Sequence, residues 1–227
     1  MSKIAAIYHF TDVSEKRPIV YKKQLEELKQ FAIEQGFRVG KIYCDKTLLK
    51  REQDEFRRFL SEVDKYDVLV TKDFYHISKN TSKCLKVMKE LRLKGVQMYT
   101  MENGSFTWEE SCFDKPLKVA TYNCKTGTPK KMNQIIQVQD DIFKLFVRNK
   151  TKWTIVDQYF DVSERQVDGE QTELKKLIAN RDKYDLVLVH TLNEVHWRTS
   201  KFCKIREKLK LDIYTLQEGF LKYNTRR

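Results

Sequence analysis

"EQDEFRRFLSEVDKYDVLV" (Glu52–Val70) and "EQTELKKLIANRDKYDLVL" (Glu170–Leu188) decide how this chain is organised. They align without a gap at an offset of 118 residues, and both contain the tetrapeptide Asp-Lys-Tyr-Asp. Working outward, the same offset brings "NTSK" (80–83) onto "RTSK" (198–201). Further on, "MYTMENG" (98–104) meets "IYTLQEG" (213–219), with three residues lost between. Upstream, "AIY" (6–8) meets "ATY" (120–122). The matches keep one order through the whole length, so the sequence reads as two copies of one unit. "DVSE" also occurs twice, at 12–15 and 161–164, but out of register, and is a coincidence.

Each copy alternates strand and helix. In the first, Ile4–Tyr8 is an apolar run of the buried-strand kind. Tyr21–Gln35 places Leu25, Leu28, Phe31 and Ala32 at helical spacing, with Gly36 as its stop. Strands are expected at Arg38–Cys44, Val68–Thr71 and Val96–Met101, and helices at Asp54–Val63 and Thr81–Lys94. The second copy repeats this with strands at 119–123, 153–160, 186–190 and 212–216, and helices near 134–148, 171–180 and 199–209. Such alternation predicts the α/β class: mainly parallel sheets of four to five strands with helices on both faces. The expected layout is a domain at 1–106, a linker at 107–117 within "SFTWEESCFDKP" (105–116), and a second domain at 118–227.

Composition narrows the partners. The 227 residues carry 44 Lys+Arg against 32 Asp+Glu, a formal charge of +12. Both halves are basic: 22 against 18 up to residue 115, and 22 against 14 after it. This balance suits a polyanion such as nucleic acid, although solvated Lys/Glu helix faces give the same count. The basic clusters are Arg51 with Arg57 and Arg58; Lys79 with Lys83 and Lys86; Lys130 and Lys131; Arg198 with Lys201 and Lys204; and Arg226 with Arg227. Five scattered cysteines without a C-x-x-C pair, no export signal and no long apolar run point to a reducing cytoplasm, with no membrane contact. No cofactor is expected: the seven glycines form no phosphate loop and the four histidines no zinc pattern.

The blocks "AIY", "QLEELKQFAIEQGF", "VGKIYCD", "EFRRFL", "KYDVLVTK", "ISKN" and "GVQMYTMENG" stand in an order that resembles the catalytic domain of serine recombinases, the resolvase/invertase family. The resemblance covers 3–106 well and 118–220 more weakly. It implies a serine that attacks a DNA phosphate and arginines that neutralise the charge of the transition state. This sequence departs from that set. Where the family has Y-x-R-x-S, Phe10 stands for the arginine and Asp12 for the serine; an insertion of two would instead bring in Ser14. The arginine before the second helix is Gln53. In L-D-R-L-S-R-N, Tyr75, His76 and Lys79 replace Asp and both arginines. The second copy has Cys124 and Thr126 at the first block and Glu194 at the third. A lysine does not reproduce the bidentate fork of an arginine.

The resemblance therefore implies a degenerate, tandemly duplicated recombinase fold without cleavage activity: a regulator, from a bacterium or a mobile element, acting on DNA or on a recombinase. Contact with DNA would run through phosphates at low specificity, and a homodimer could form through helix faces. Two other readings stay open. One is a protein-interaction module or inhibitor that binds no DNA, with Trp108, Trp153 and Trp197 as anchors. The other is a metal-dependent nuclease built on the strand-end carboxylates Asp12, Asp45 and Asp73, with Asp161 in the second copy.

Overall fold

In β1 (Ile4–Phe10) every residue from Ala5 onward is buried, so the strand must lie between neighbours and be covered on both faces. The computed structural model describes residues 2–11, 18–45, 53–107, 115–126, 129–150, 152–163 and 171–223. The chain divides into two units, Met1–Phe106 and Thr107–Arg227.

In the first unit, β1 pairs in parallel with β2 (Arg38–Asp45) and β3 (Val68–Thr71), and β3 with β4 (Gln97–Thr100). The strand order is β2-β1-β3-β4-β5, where β5 is Gly104–Thr107. Helix α1 (Pro18–Glu34) covers one face, where Leu28 and Ala32 pack on Ala5, Ile7, Val68 and Val70. Helix α2 (Asp54–Ser61) covers the other, with the Phe56 ring packed at a tilt against Tyr8, centroids 4.7 Å apart. Gly36, at φ +79°, ends α1 in the left-handed conformation that its position requires. Helix α4 (Thr81–Leu93) follows a single turn, α3 (Phe74–Ile77).

The second unit has the order β10-β9-β8-β6-β7. Here β6 (Leu117–Thr126) pairs in parallel with β7 (Trp153–Ser163) and β8 (Leu186–Val189), and β8 with β9 (Asp212–Thr215). Its helices are α5 (Pro129–Arg148), α6 (Thr172–Ala179), the single turn α7 (Leu192–Val195) and α8 (Thr199–Leu209). Phe143 and Val147 of α5 pack on Leu117, Val119, Leu186 and Leu188. No helix among the described residues is long and apolar enough to cross a membrane.

Several expectations need correction. The last parallel strand of each unit is not the end of its sheet: β5 (Gly104–Thr107) and β10 (Gly219–Lys222) add an antiparallel fifth strand. The expected linker therefore overlaps β5 at Thr107 and β6 at Leu117. The turns that produce the reversal use Gly104 and Gly219 at φ +100° and +96°. Thr100 Oγ1 accepts from Asn103 N at 3.0 Å, and Thr215 Oγ1 from Glu218 N at 2.7 Å. Unlike the equally short β3 and β8, β5 (GSFT) and β10 (GFLK) are not apolar runs and give no strand signal in the sequence. The helix expected to reach Val63 stops at Ser61 and passes into a 3-10 turn, Val63–Lys65.

Where α4 ends at Gly95 (φ +72°), α8 ends at Lys210, a side-chain-bearing residue held at φ 54°. Lys210→Gly should therefore raise stability by about 1 kcal/mol, read as a higher urea midpoint at unchanged slope.

Candidate functional site

In an open parallel sheet, ligands sit at the carboxyl ends of the strands. In the first unit this edge carries His9, Phe10 and Thr11 from β1, Asp45 from β2, Gln53 before α2, and Lys72 and Asp73 after β3. At its centre Asp45, buried, accepts from Glu55 N (3.0 Å), Phe56 N (3.1 Å) and the Tyr8 hydroxyl (3.0 Å). Gln53 Nε2 donates to the Tyr8 hydroxyl at 3.2 Å and to Ile77 O at 3.3 Å. Burial, reinforced by the Asp45 charge, pushes the Tyr8 phenol well above its ordinary range, so it stays a neutral donor.

The second unit builds the same network from its own residues. Asp161 accepts from Glu173 N, Leu174 N and the Tyr122 hydroxyl, each at 3.0 Å. Gln171 Nε2 donates to the Tyr122 hydroxyl at 3.1 Å and to Val195 O at 2.9 Å. Asp67 accepts from Ile4 N and Asp185 from Lys118 N, at 2.7 and 2.8 Å. The Tyr43 and Tyr66 hydroxyls meet at 2.8 Å, and those of Tyr159 and Tyr184 at 2.6 Å.

The residues at the family's catalytic places go elsewhere. Phe10 is a buried core residue. Gln53 is turned inward, as described. Tyr75 is half-buried, Lys79 and Thr126 are exposed. His76 Nδ1 lies 2.7 Å from Asp73 Oδ1, which also caps α3 by accepting from His76 N at 2.9 Å. Burial works against the Asp73 anion, but the bonds and charge of His76 outweigh it and hold the carboxyl below its usual range. Glu194 is buried and bonded to Lys125 at the end of β6. Burial outweighs that lysine and raises the Glu194 carboxyl. Cys124 is half-buried, its thiol pushed up by burial and then by Asp161. Asp12 and Ser14 lie outside the described residues.

The described carboxylates among those considered for a metal are otherwise engaged. Asp45 and Asp161 hold the starts of α2 and α6, and Asp73 caps α3. Among the described residues no three His, Cys, Asp or Glu side chains converge on one point. Of the tryptophans, Trp153 is a core residue 5.7 Å from Tyr214, which explains it without an interface. Trp108 lies outside the described residues. Trp197 is half-buried beneath the Arg198 guanidinium, 4.6 Å away.

The basic candidates divide in two. Arg57 and Arg58 lie on α2 beside acidic neighbours, Asp54 at 3.5 Å and Glu62 at 3.3 Å, as exposed pairs of little energetic weight. Lys83 and Lys86 on α4 and Lys204 on α8 are exposed, and Lys201 is half-buried. Arg51, Arg226, Arg227 and the side chains of Lys130 and Lys131 lie outside the described residues.

Sequence reasoning missed three features. His9 is fully buried and finds no hydrogen-bond partner for either ring nitrogen among the described residues. Its signal was its place on the inward face of β1, two residues after Ile7. The Lys125–Glu194 pair joins residues 69 apart and leaves no local trace. The paired glutamines were visible at 53 and 171, but not their inward direction.

No curated protein sequence matches the chain. Among solved structures, the catalytic domain of ISC1926 TnpA, an IS607-like serine recombinase, is 16% identical over 43% of this chain and 68% of its own, with a TM-score of 0.38. The catalytic domain of TP901-1 integrase is 18% identical over 44% and 77%, with a TM-score of 0.38. A resolvase-family site-specific recombinase from Streptococcus pneumoniae is 12% identical over 66% and 93%, with a TM-score of 0.43. Residues 13–115 match the family model described as "Resolvase, N terminal domain", and this part of the chain is similar to that family.

Proposed function

We propose that the chain is a tandem pair of resolvase-like units that has lost DNA cleavage and acts as a regulator in association with DNA or with a recombinase. The observation that carries this reading is Gln53. At the place where the family resemblance puts an arginine, its side chain is engaged by the Tyr8 hydroxyl and Ile77 O, and Gln171 does the same in the second unit. The matched Tyr-Asp-Gln networks, at the offsets of the sequence repeat, support duplication of the whole unit. With Phe10, His76 and Lys79 at the other arginine places, no described bidentate fork is left there to grip a scissile phosphate. The exposed Lys79, Lys83 and Lys86 of the first unit and Lys204 of the second are the phosphate contacts of this reading.

The test is titration of the purified chain onto duplex and single-stranded DNA between about 50 and 200 mM salt, with and without Mg²⁺. Each phosphate contact contributes a slope of about −0.9 in log K against log salt on duplex DNA. Lys83→Ala with Lys86→Ala should flatten the slope by about 2 without changing sequence preference. No covalent protein–DNA adduct should survive denaturing electrophoresis. Absence of binding at the lowest salt, or a covalent adduct, would overturn the reading. A partner protein without DNA is the second reading, favoured by the exposed Ile135, Val138 and Leu145 of α5.

A further inference from the structure

A buried imidazole without a hydrogen bond is costly, and costlier still once protonated. Among the described residues His9 is such a group. At the end of β1 it faces the ring of Tyr21 from α1 at 5.4 Å and stacks on His76 from α3 at 5.5 Å with an interplanar angle of 26°. From β2 its neighbour in register is Cys44. From the end of β3, Lys72 and Asp73 act on it through their charge. Asp73 is the one anion in this group, and its carboxylate is already bonded to His76. A protonated His9 would carry two N–H donors for which no hydrogen-bond partner stands among the described residues, beside a second imidazole and an ammonium group.

The second unit has no such group. In its register, Asn123 stands where His9 does and Glu194 where His76 does, and Lys125 balances Glu194. Asn123 cannot take a proton.

We propose that the His9–His76 contact is an acid-operated latch of the first unit alone: protonation drives α3 and the start of α4 off the end of β1, while α7 and α8 of the second unit stay closed. Helix α3 is one turn, fixed by the Asp73 cap, by Asn103 Oδ1 accepting from Phe74 N at 3.2 Å, by Cys84 Sγ donating to Phe74 O at 3.8 Å, by Gln53 Nε2 donating to Ile77 O at 3.3 Å, and by the burial of Phe74 and Ile77. The motion would carry the exposed Lys79, Lys83 and Lys86 with it.

The sign follows from linkage. Burial first, then the charges of His76 and Lys72, lower His9 to about 4, against the opposing pull of Asp73. The opened form, with an ordinary histidine near 6.5, binds more protons between these values. Closure is therefore fully favoured above about pH 6.5 and lost as pH falls toward 4. The opening constant should rise about 20-fold from pH 7 to pH 5.

Hydrogen exchange of the full chain, corrected for the intrinsic pH dependence of exchange, reads this directly. Peptides covering the end of β1, α3 and the start of α4 should lose about 20-fold in protection, and those from 192–209 should not change. His9→Asn, the residue of the second unit, should abolish the loss. Equal protection at both pH values, equal loss in the two units, or the same loss in His9→Asn would each overturn the latch. The Cε1–H resonance of His9 gives a check that needs no variant. A titration midpoint near the ordinary 6.5 would overturn it, and one near 4 would support it.

Discussion

Asp45→Ala is expected to lower the stability of the first unit by about 3 kcal/mol, the sum of a lost helix cap and a buried hydroxyl left unpaired. The wild-type carboxylate is 4% exposed and satisfies two backbone N–H groups at the start of α2 as well as the Tyr8 hydroxyl. Alanine fills none of these roles, and the hydroxyl keeps only Gln53, itself a donor toward it. For a unit of this size the loss corresponds to a fall of roughly 12–24 °C in the melting temperature. Asp161→Ala should act equally on the second unit, because the same three donors converge there. Thermal unfolding followed by circular dichroism decides the point. A carboxylate kept for metal or catalysis behaves the other way: its removal leaves the melting temperature unchanged or raises it. That result would reopen the nuclease reading.

Arg206→Met should do the reverse and stabilise the second unit by about 1–3 kcal/mol. Arg206 is fully buried in α8, at the position that Met88 fills in α4. Its guanidinium donates from Nη2 to Leu221 O at 3.3 Å and lies 4.8 Å from the Tyr223 ring, but Nε and Nη1 find no partner among the described residues. Burial, against the nearby Asp212 and Tyr223, lowers this guanidinium to about 9. Asp212 is in turn raised by its own burial, and its carboxylate accepts from Tyr223 N at 2.7 Å. Methionine is of similar length, needs no hydrogen bond and fits a place that its counterpart already fills in the other unit. Urea denaturation should show a higher midpoint. A fall of about 3 kcal/mol would mean instead that Arg206 and Asp212 form a working pair, and that the variant strands the carboxylate.

How much of this is written in the sequence depends on the range of the interaction. Strands β1, β3, β6 and β8 are runs such as "LVLV" whose burial is stated by composition, and α1 announces its end with Gly36. The repeated "DKYD", with the matches that flank it in one order, locates the second unit. The candidate site is legible only as departures from the blocks that the family resemblance supplies. The contacts that the residues at these places make are not legible. The direction of Gln53 depends on Ile77 and Tyr8, 24 and 45 residues away. The burial of His9 depends on α1 and α3 arriving together. Strands β5 and β10 form because a threonine and a glycine turn the chain, a signal of two residues in seven.

The hydrogen-bonded set Tyr8, Asp45 and Gln53 also constrains inheritance. Its members lie on separate elements, yet each satisfies polar atoms of the others, so a change at one leaves a neighbour without its partner. Among descendants of this chain the three positions should be kept together or lost together. The same holds for Tyr122, Asp161 and Gln171, and the two sets are free to decay at different times. The order in which they vanish would record which unit was released from selection first.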